Sequence, residues 1–122
     1  MTNTEKRIVF IRNFAELTRT AKAMGIEFII TASYRTKEQQ YEMYINHKSQ
    51  LDGMNKRSKH QSWLAIDICI IKNGECIWTR TAEYNALGEA WKELGGIWGG
   101  DWKGLNDIYH FEYSDGLNKN NS

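Results

Sequence analysis

His60, Asp67 and His110 have the types and spacing of a metal site. The first two lie within Ser58-Lys59-His60-Gln61-Ser62-Trp63-Leu64-Ala65-Ile66-Asp67, and Asp107-Ile108-Tyr109-His110 follows about forty residues later. Asp67 is embedded in the apolar run from Leu64 to Ile71, which reads as a buried strand. A lone carboxylate there is costly unless it is paired, hydrogen-bonded, protonated or bound to a metal. With one imidazole ahead of it and another behind, the economical partner is a divalent cation. Two histidines and one aspartate also match the number of protein ligands in a catalytic zinc site, which leaves a fourth position for water. An ordinary reading exists for each residue: His60 in a surface loop, His110 as a satisfied core histidine, and Asp67 paired with a nearby Arg or Lys.

Other residues could complete such a site. Asp107, three positions before His110, could reach a water on a metal and serve as general base, or it could simply cap a turn after Asn106. Glu112 is a second candidate base, or a hydrogen-bond partner for a ligand imidazole. Arg35 ends a predicted strand, where its planar fork suits a substrate carboxylate or a developing oxyanion; an ion pair with Glu38 or Glu42 is the alternative. Cys69, on the face of Asp67, could offer a thiolate, although a small buried hydrophobe is the commoner use. His47, at the end of a predicted helix, reads as solvated.

The elements that must position these groups follow from periodicity. Ile8, Phe14, Leu17, Ala21 and Met24 recur at helical spacing over about Thr4 to Met24, with Gly25 as a stop. Ile26 to Ser33 is rich in strand formers, and Thr36-Lys37-Glu38-Gln39 has the form of a capping box opening a helix to about His47. The polar stretch from Lys48 to Lys59 reads as a long exposed loop. A hairpin is predicted over about Ala65–Lys72 and Glu75–Trp78, then a helix over about Ala82–Leu94 with Tyr84, Leu87, Trp91 and Leu94 on one side. Gly95 to Trp102 is too glycine-rich for regular structure and lacks the spacing of a phosphate loop. A last strand from about Tyr109 to Tyr113 puts His110 and Glu112 on one face and Tyr109, Phe111 and Tyr113 on the other.

At 122 residues the chain fits one domain, predicted over 1–117 with a disordered tail at 118–122. Sixteen basic and fifteen acidic side chains leave a net charge of +1, so no broad footprint for a polyanion exists and nucleic acid is not an expected partner. The amino terminus has no long apolar segment behind it, which predicts a cytoplasmic protein without stable membrane insertion. Cys69 and Cys76 flank the turn Lys72-Asn73-Gly74-Glu75; an Asn73-Gly74 hairpin sets Cys76 opposite Ile71 and makes the thiols diagonal neighbours, predicted reduced. Five Trp, at 63, 78, 91, 98 and 102, suit either a ligand-lining surface or core packing.

These motifs resemble the zinc peptidases of bacterial cell walls, a family that includes D-alanyl-D-alanine carboxypeptidases, vancomycin-resistance dipeptidases and phage L-alanyl-D-glutamate endolysins. The pattern Ser-x-His-x-x-Gly-x-Ala-x-Asp matches Ser58, His60, Ala65 and Asp67, and Asp-x-x-His matches Asp107 and His110. Tyr34-Arg35-Thr36-Lys37-Glu38-Gln39-Gln40 is similar to the family's Tyr-Arg-Ser-x-x-x-Gln segment, and Trp98-Gly99-Gly100-Asp101-Trp102 is most similar to the endolysin branch. Trp63 stands where the family pattern has Gly; a positive φ there would strain a Trp.

The resemblance, over about residues 28 to 113, implies an α+β fold: a small antiparallel sheet with helices packed on it and a zinc site at the sheet face. It implies Zn2+ held by His60, Asp67 and His110, Asp107 as catalytic acid/base, and Arg35 facing the substrate together with Gln40 and Ser58. The implied function is a monomeric, endolysin-like peptidase that cuts the L-alanyl-D-glutamate bond of the peptidoglycan stem peptide after release from the producing cell. A D-alanyl-D-alanine carboxypeptidase and a non-catalytic, metal-stabilised wall-binding or phage structural module are the alternatives. Lys48, Lys56, Arg57 and Lys59 are candidate contacts to anionic wall polymers.

Overall fold

The computed structural model describes residues 1–116; the tail expected from Asn118, and the last residue of the expected 1–117 domain, lie outside the described residues. Helix α1 (Asn3–Ala23) opens on a capping box between Thr2 and Glu5 and buries Phe10, Phe14, Leu17 and Ala21. The expected stripe is therefore rotated: Ile8 and Met24 are 44% and 52% exposed, and Phe10 takes the inward position. Spacings of four, three and four residues keep one face of a 3.6-residue helix toward the core, and Ile8 falls outside that face.

Strand β1 (Glu27–Ala32) leads to helix α2 (Lys37–Ile45), whose capping box joins Thr36 and Gln39 as the sequence suggested. The apolar run becomes strand β2 (Ala65–Lys72), followed by β3 (Glu75–Ile77) across the Asn73-Gly74 turn. Helix α3 (Ala82–Glu93) buries Tyr84, Leu87 and Trp91. Contrary to the expectation of irregular chain, Ile97–Trp98 forms a short strand, β4, before a 3-10 turn over Gly99–Asp101. The reason is packing: the buried Trp98 ring lies so close to Gly88 that a Cβ there would come within 2.2 Å of it. Strand β5 (His110–Glu112) completes the sheet.

All pairings are antiparallel, in the order β1-β2-β5-β4, with β3 also on β2. Strand β2 is the organising element. One edge carries β1, and the other is shared by β5 along Ala65–Asp67 and β3 along Ile70–Lys72. The period of two sends Ile66, Ile68 and Ile70 into a core with Phe111, Phe14, Leu17, Leu87 and Trp91, and turns Asp67 to the other face. Each fully buried apolar side chain contributes about 1.5–3 kcal/mol, enough to hold a carboxylate-bearing strand in place. Cys76 pairs with Ile71 as expected, and both cysteines are free thiols. No described helix is long and apolar enough to cross a membrane.

Candidate metal centre

The strand register does the first part of the assembly. Asp67 on β2 lies directly opposite His110 on β5. On the other side of β2 the β1 register slips between Ile30 and Ala32, a bulge that bends the strand end toward Asp67, its partner at Ala32. Beyond the bulge the Ser33 carbonyl lies 2.7 Å from His60 Nδ1, and Arg35 donates its backbone N–H to the His60 carbonyl at 3.2 Å. His60 itself sits in a 3-10 turn (Lys59–Ser62) closed by a capping box between Ser58 and Gln61.

The three predicted ligands converge. His60 Nε2, His110 Nδ1 and Asp67 Oδ1 form a triangle with sides of 3.2, 3.2 and 3.3 Å. Three vertices of a tetrahedron with ligand bonds of about 2.0–2.1 Å are about 3.3 Å apart, so the spacing fits a zinc ion. The protons argue the same way. A carbonyl only accepts, so His60 carries its proton on Nδ1 and turns a lone pair inward. His110 Nε2 faces Glu112 Oε1 at 2.7 Å, which directs the Nδ1 lone pair of the neutral ring inward too. Three lone pairs aimed at one point are stable only with a cation between them, and Ser33 and Glu112 are the outer partners that orient such imidazoles.

Electrostatics reflect that geometry. Burial alone would raise the Asp67 carboxyl, but the adjoining His110 and His60 imidazoles, when protonated, hold it well below the usual carboxylate range. Burial opposes charge on His110, yet its bonds to Asp67 and Glu112 push the imidazole up to about 9, so without a metal the site recruits a proton instead. Asp107 is shifted upward, chiefly by burial and then by Asp67. Its Oδ1 accepts the Tyr109 N–H at 3.2 Å, the turn geometry of its ordinary alternative, and its own N–H donates to the Gly99 carbonyl at 3.0 Å. A Cβ at Gly99 would come 2.4 Å from the Asp107 carbonyl, so only glycine lets that turn close on the site.

The residues expected to face substrate divide. Arg35 lines the cleft, but it is not paired with Glu38 or Glu42; its guanidinium donates to Gln40 Oε1 at 2.8 Å and to Asp67 Oδ2 at 3.4 Å. Burial lowers its pKa, against the pull of Asp67 and Asp107. Gln40, expected to face the substrate, is fully buried, and its amide also donates to Ser49 Oγ at 2.9 Å and to the Leu51 carbonyl at 2.7 Å. It is a strut between Arg35 and the following loop. Ser58 is 4% exposed, and its Oγ caps the turn by accepting the His60 N–H, so its hydroxyl serves His60 before any substrate. Glu112 is the outer partner of His110. Cys69 is buried away from the triangle, and His47 is exposed.

Two contributors escaped the sequence reading. Gln61 joins Ser58 N–H to the Gly53 carbonyl, and the spacing Ser58-x-x-Gln61 was a readable capping-box signal. The Ser33 carbonyl is backbone and leaves no signature. Trp63 has φ 61° and ψ 32°, the left-handed conformation that a glycine adopts freely. Its ring is held by a stack on Tyr34, 4.6 Å between centroids, with the Arg7 guanidinium 5.4 Å from its own centroid. Asp67 and His110 line a cleft of about 770 Å³ bordered by the loops after α2 and after Gly99–Asp101, with His60 buried behind them. Trp102 lines it with its ring 4.8 Å from that of His110, whereas Trp91 and Trp98 belong to the core.

Comparison with known proteins places this geometry. A model of the D-alanyl-D-alanine carboxypeptidase family matches residues 52–113, a segment that contains His60, Asp67, Asp107 and His110. The peptidoglycan L-alanyl-D-glutamate endopeptidase CwlK of Bacillus subtilis strain 168 is 31% identical over 115 residues, 83% of this chain and 69% of that protein. The L-alanyl-D-glutamate peptidase of Listeria phage A118 is 32% identical over 96 residues, 77% of this chain but only 33% of the phage protein. The crystal structure of the Serratia marcescens L-Ala D-Glu endopeptidase ChiX superposes with a TM-score of 0.64 at 27% identity, covering 92% of this chain and 86% of that one. The Zn(II) complex of the vancomycin-resistance D,D-pentapeptidase VanY shares the fold, with a TM-score of 0.64 at 20% identity over 92% of this chain and 74% of that one. The α+β sheet and the match across half of its length agree with the resemblance in the motifs, and the chain belongs to the D-alanyl-D-alanine carboxypeptidase family of peptidases.

Proposed function

We propose that this chain is a zinc-dependent peptidoglycan peptidase that hydrolyses the L-alanyl-D-glutamate bond of the stem peptide. The single observation that carries the chemistry is the convergence of three inward lone pairs, from His60, Asp67 and His110, two of which line an open cleft. Bound there, zinc supplies a Lewis acid for the scissile carbonyl and lowers the pKa of a coordinated water to about 7. Ser33 and Glu112 keep the two imidazoles in the ligating tautomer. Asp107, half-buried and shifted upward, is suited to take a proton from the attacking water and return it to the leaving amine. Arg35 has spent two of its five N–H donors on Gln40 and Asp67, and the remaining ones suit a developing oxyanion.

The bond assignment is supported by the relatives named L-alanyl-D-glutamate endopeptidases in Bacillus, a Listeria phage and Serratia. The family description names a carboxypeptidase, so the test must separate the two bonds. Zinc-loaded protein is incubated with defined stem peptides ending in D-alanyl-D-alanine, and the products are resolved by mass. Release of fragments cut between L-alanine and D-glutamate is expected. Free D-alanine with that bond intact would sink the endopeptidase assignment, and no cleavage at full zinc occupancy would sink the enzyme.

A further inference from the structure

We propose that Lys48 and Lys103 form a carboxylate-binding rim that makes the cleft selective for stem peptides whose glutamate keeps its free carboxyl group. The inference rests on the peptidase reading above and specifies its substrate. Among the charged residues that line the cleft, Arg35, Asp67, Asp107 and Glu112 are half-buried, whereas Lys48 and Lys103 are exposed on the two bordering loops. Neither lysine is ion-paired with a described residue. Lys59, a candidate wall contact by sequence, is instead occupied by Asp115 at 3.0 Å. Arg35 is held by Gln40 and Asp67, and its remaining N–H donors are the ones suited to the oxyanion.

The two loops also converge. A Cβ on Gly104 would lie 3.7 Å from Gln50 Nε2, so Lys103, next to Gly104, and Lys48, two residues before Gln50, stand on segments that approach one another across the cleft. A glutamate in a peptide chain uses one of its two carboxyls in the backbone and leaves the other charged. The lysine rim attracts that second carboxylate, which fixes the direction in which the peptide lies over the metal centre. Amidation of the carboxyl removes the attraction and leaves the rest of the peptide unchanged.

The test compares two synthetic stem peptides that differ only in amidation of that carboxyl, using zinc-loaded wild type, Lys48→Gln, Lys103→Gln, the double variant and the charge-keeping Lys103→Arg. KM, kcat and the calorimetric Kd are measured for each, with zinc content and circular dichroism as controls. Wild type is expected to prefer the unamidated peptide by about tenfold in KM and Kd, the gain from two partly exposed charge pairs. The double variant loses that preference with kcat within about twofold, Lys103→Arg retains it, and raising salt from about 0.05 M to about 0.5 M erodes it in wild type and in Lys103→Arg. An equal Kd for both peptides in wild type, or a preference that survives in the double variant, overturns the assignment. Because Kd reads the lysines even when neither peptide is cut, absent hydrolysis counts against the peptidase reading and an absent Kd contrast against the rim.

Discussion

Replacing Gln40 with Met separates a buried strut from a substrate contact. The side chain is fully buried, and its amide joins an Arg35 N–H, the Ser49 hydroxyl and the Leu51 carbonyl. Methionine keeps the approximate volume but offers no partner to any of them. Ser49 is half-buried and can turn to water, which leaves the Leu51 carbonyl and one Arg35 N–H unsatisfied. Each such group costs about 1–3 kcal/mol, and the thioether regains about 1 kcal/mol of apolar burial, so a net loss of about 3 kcal/mol is expected. For a chain of this length that is a fall of about 10 °C in Tm. Denaturant unfolding is measured in the presence of chelator, because a metal bound only to the native state adds its own stabilisation. Released from Gln40, Arg35 loses its fixed fork, and kcat at full zinc occupancy is expected to fall about tenfold with little change in KM. A raised KM at wild-type stability would restore Gln40 to the substrate surface and refute the strut. Stability within about 0.5 kcal/mol of wild type would show that the three hydrogen bonds carry no net weight.

Alanine at His60, Asp67 or His110 is expected to abolish both zinc binding and hydrolysis, whereas Asp107→Ala keeps the metal and loses turnover; equal activity and equal zinc in Asp107→Ala would remove the assignment of the base. Zinc must displace the proton that His110, pushed up to about 9, holds in the metal-free protein, so binding near pH 7.5 releases about one proton, read by calorimetry in buffers of different ionisation enthalpy. The same group sets a window for metal-free stability: its contribution is complete below about pH 6.5, the unfolded value, and is lost as pH rises through about 9, and a flat profile across that window contradicts it. At Trp63, Gly relieves a left-handed conformation that costs about 1 kcal/mol while Ala keeps it, so both lose the Tyr34 stack but Trp63→Ala unfolds at lower denaturant than Trp63→Gly. Equal midpoints would show that the backbone there is unstrained.

The sequence alone determined what short-range rules reach. Thr36 and Gln39 announce the start of α2, the Asn73-Gly74 pair sets the β2 to β3 register, and alternation in β5 puts Glu112 beside His110. Asp67 was legible as a carboxylate in need of a partner because every neighbour in its run is apolar. At Trp63 the sequence marked a position where a positive φ would strain the residue, and the structure decided that the φ is positive.

Only the tertiary structure decided which partners these groups meet. That Gln40 is buried under the loop after α2, that Arg35 reaches Asp67 rather than Glu38 or Glu42, and that Ser33 turns a carbonyl toward His60 depend on a bulge and a loop whose packing no local pattern encodes. Strand β4 was missed for the same reason: Trp98 finds its place against Gly88 across the fold, while its glycine neighbours suppress any strand signal. Propensity and periodicity act over a few residues, whereas the triangle of donors joins positions forty or more residues apart through the pairing of β2 with β5. Sequence therefore named the donors, and the closure of the sheet brought their lone pairs to one point.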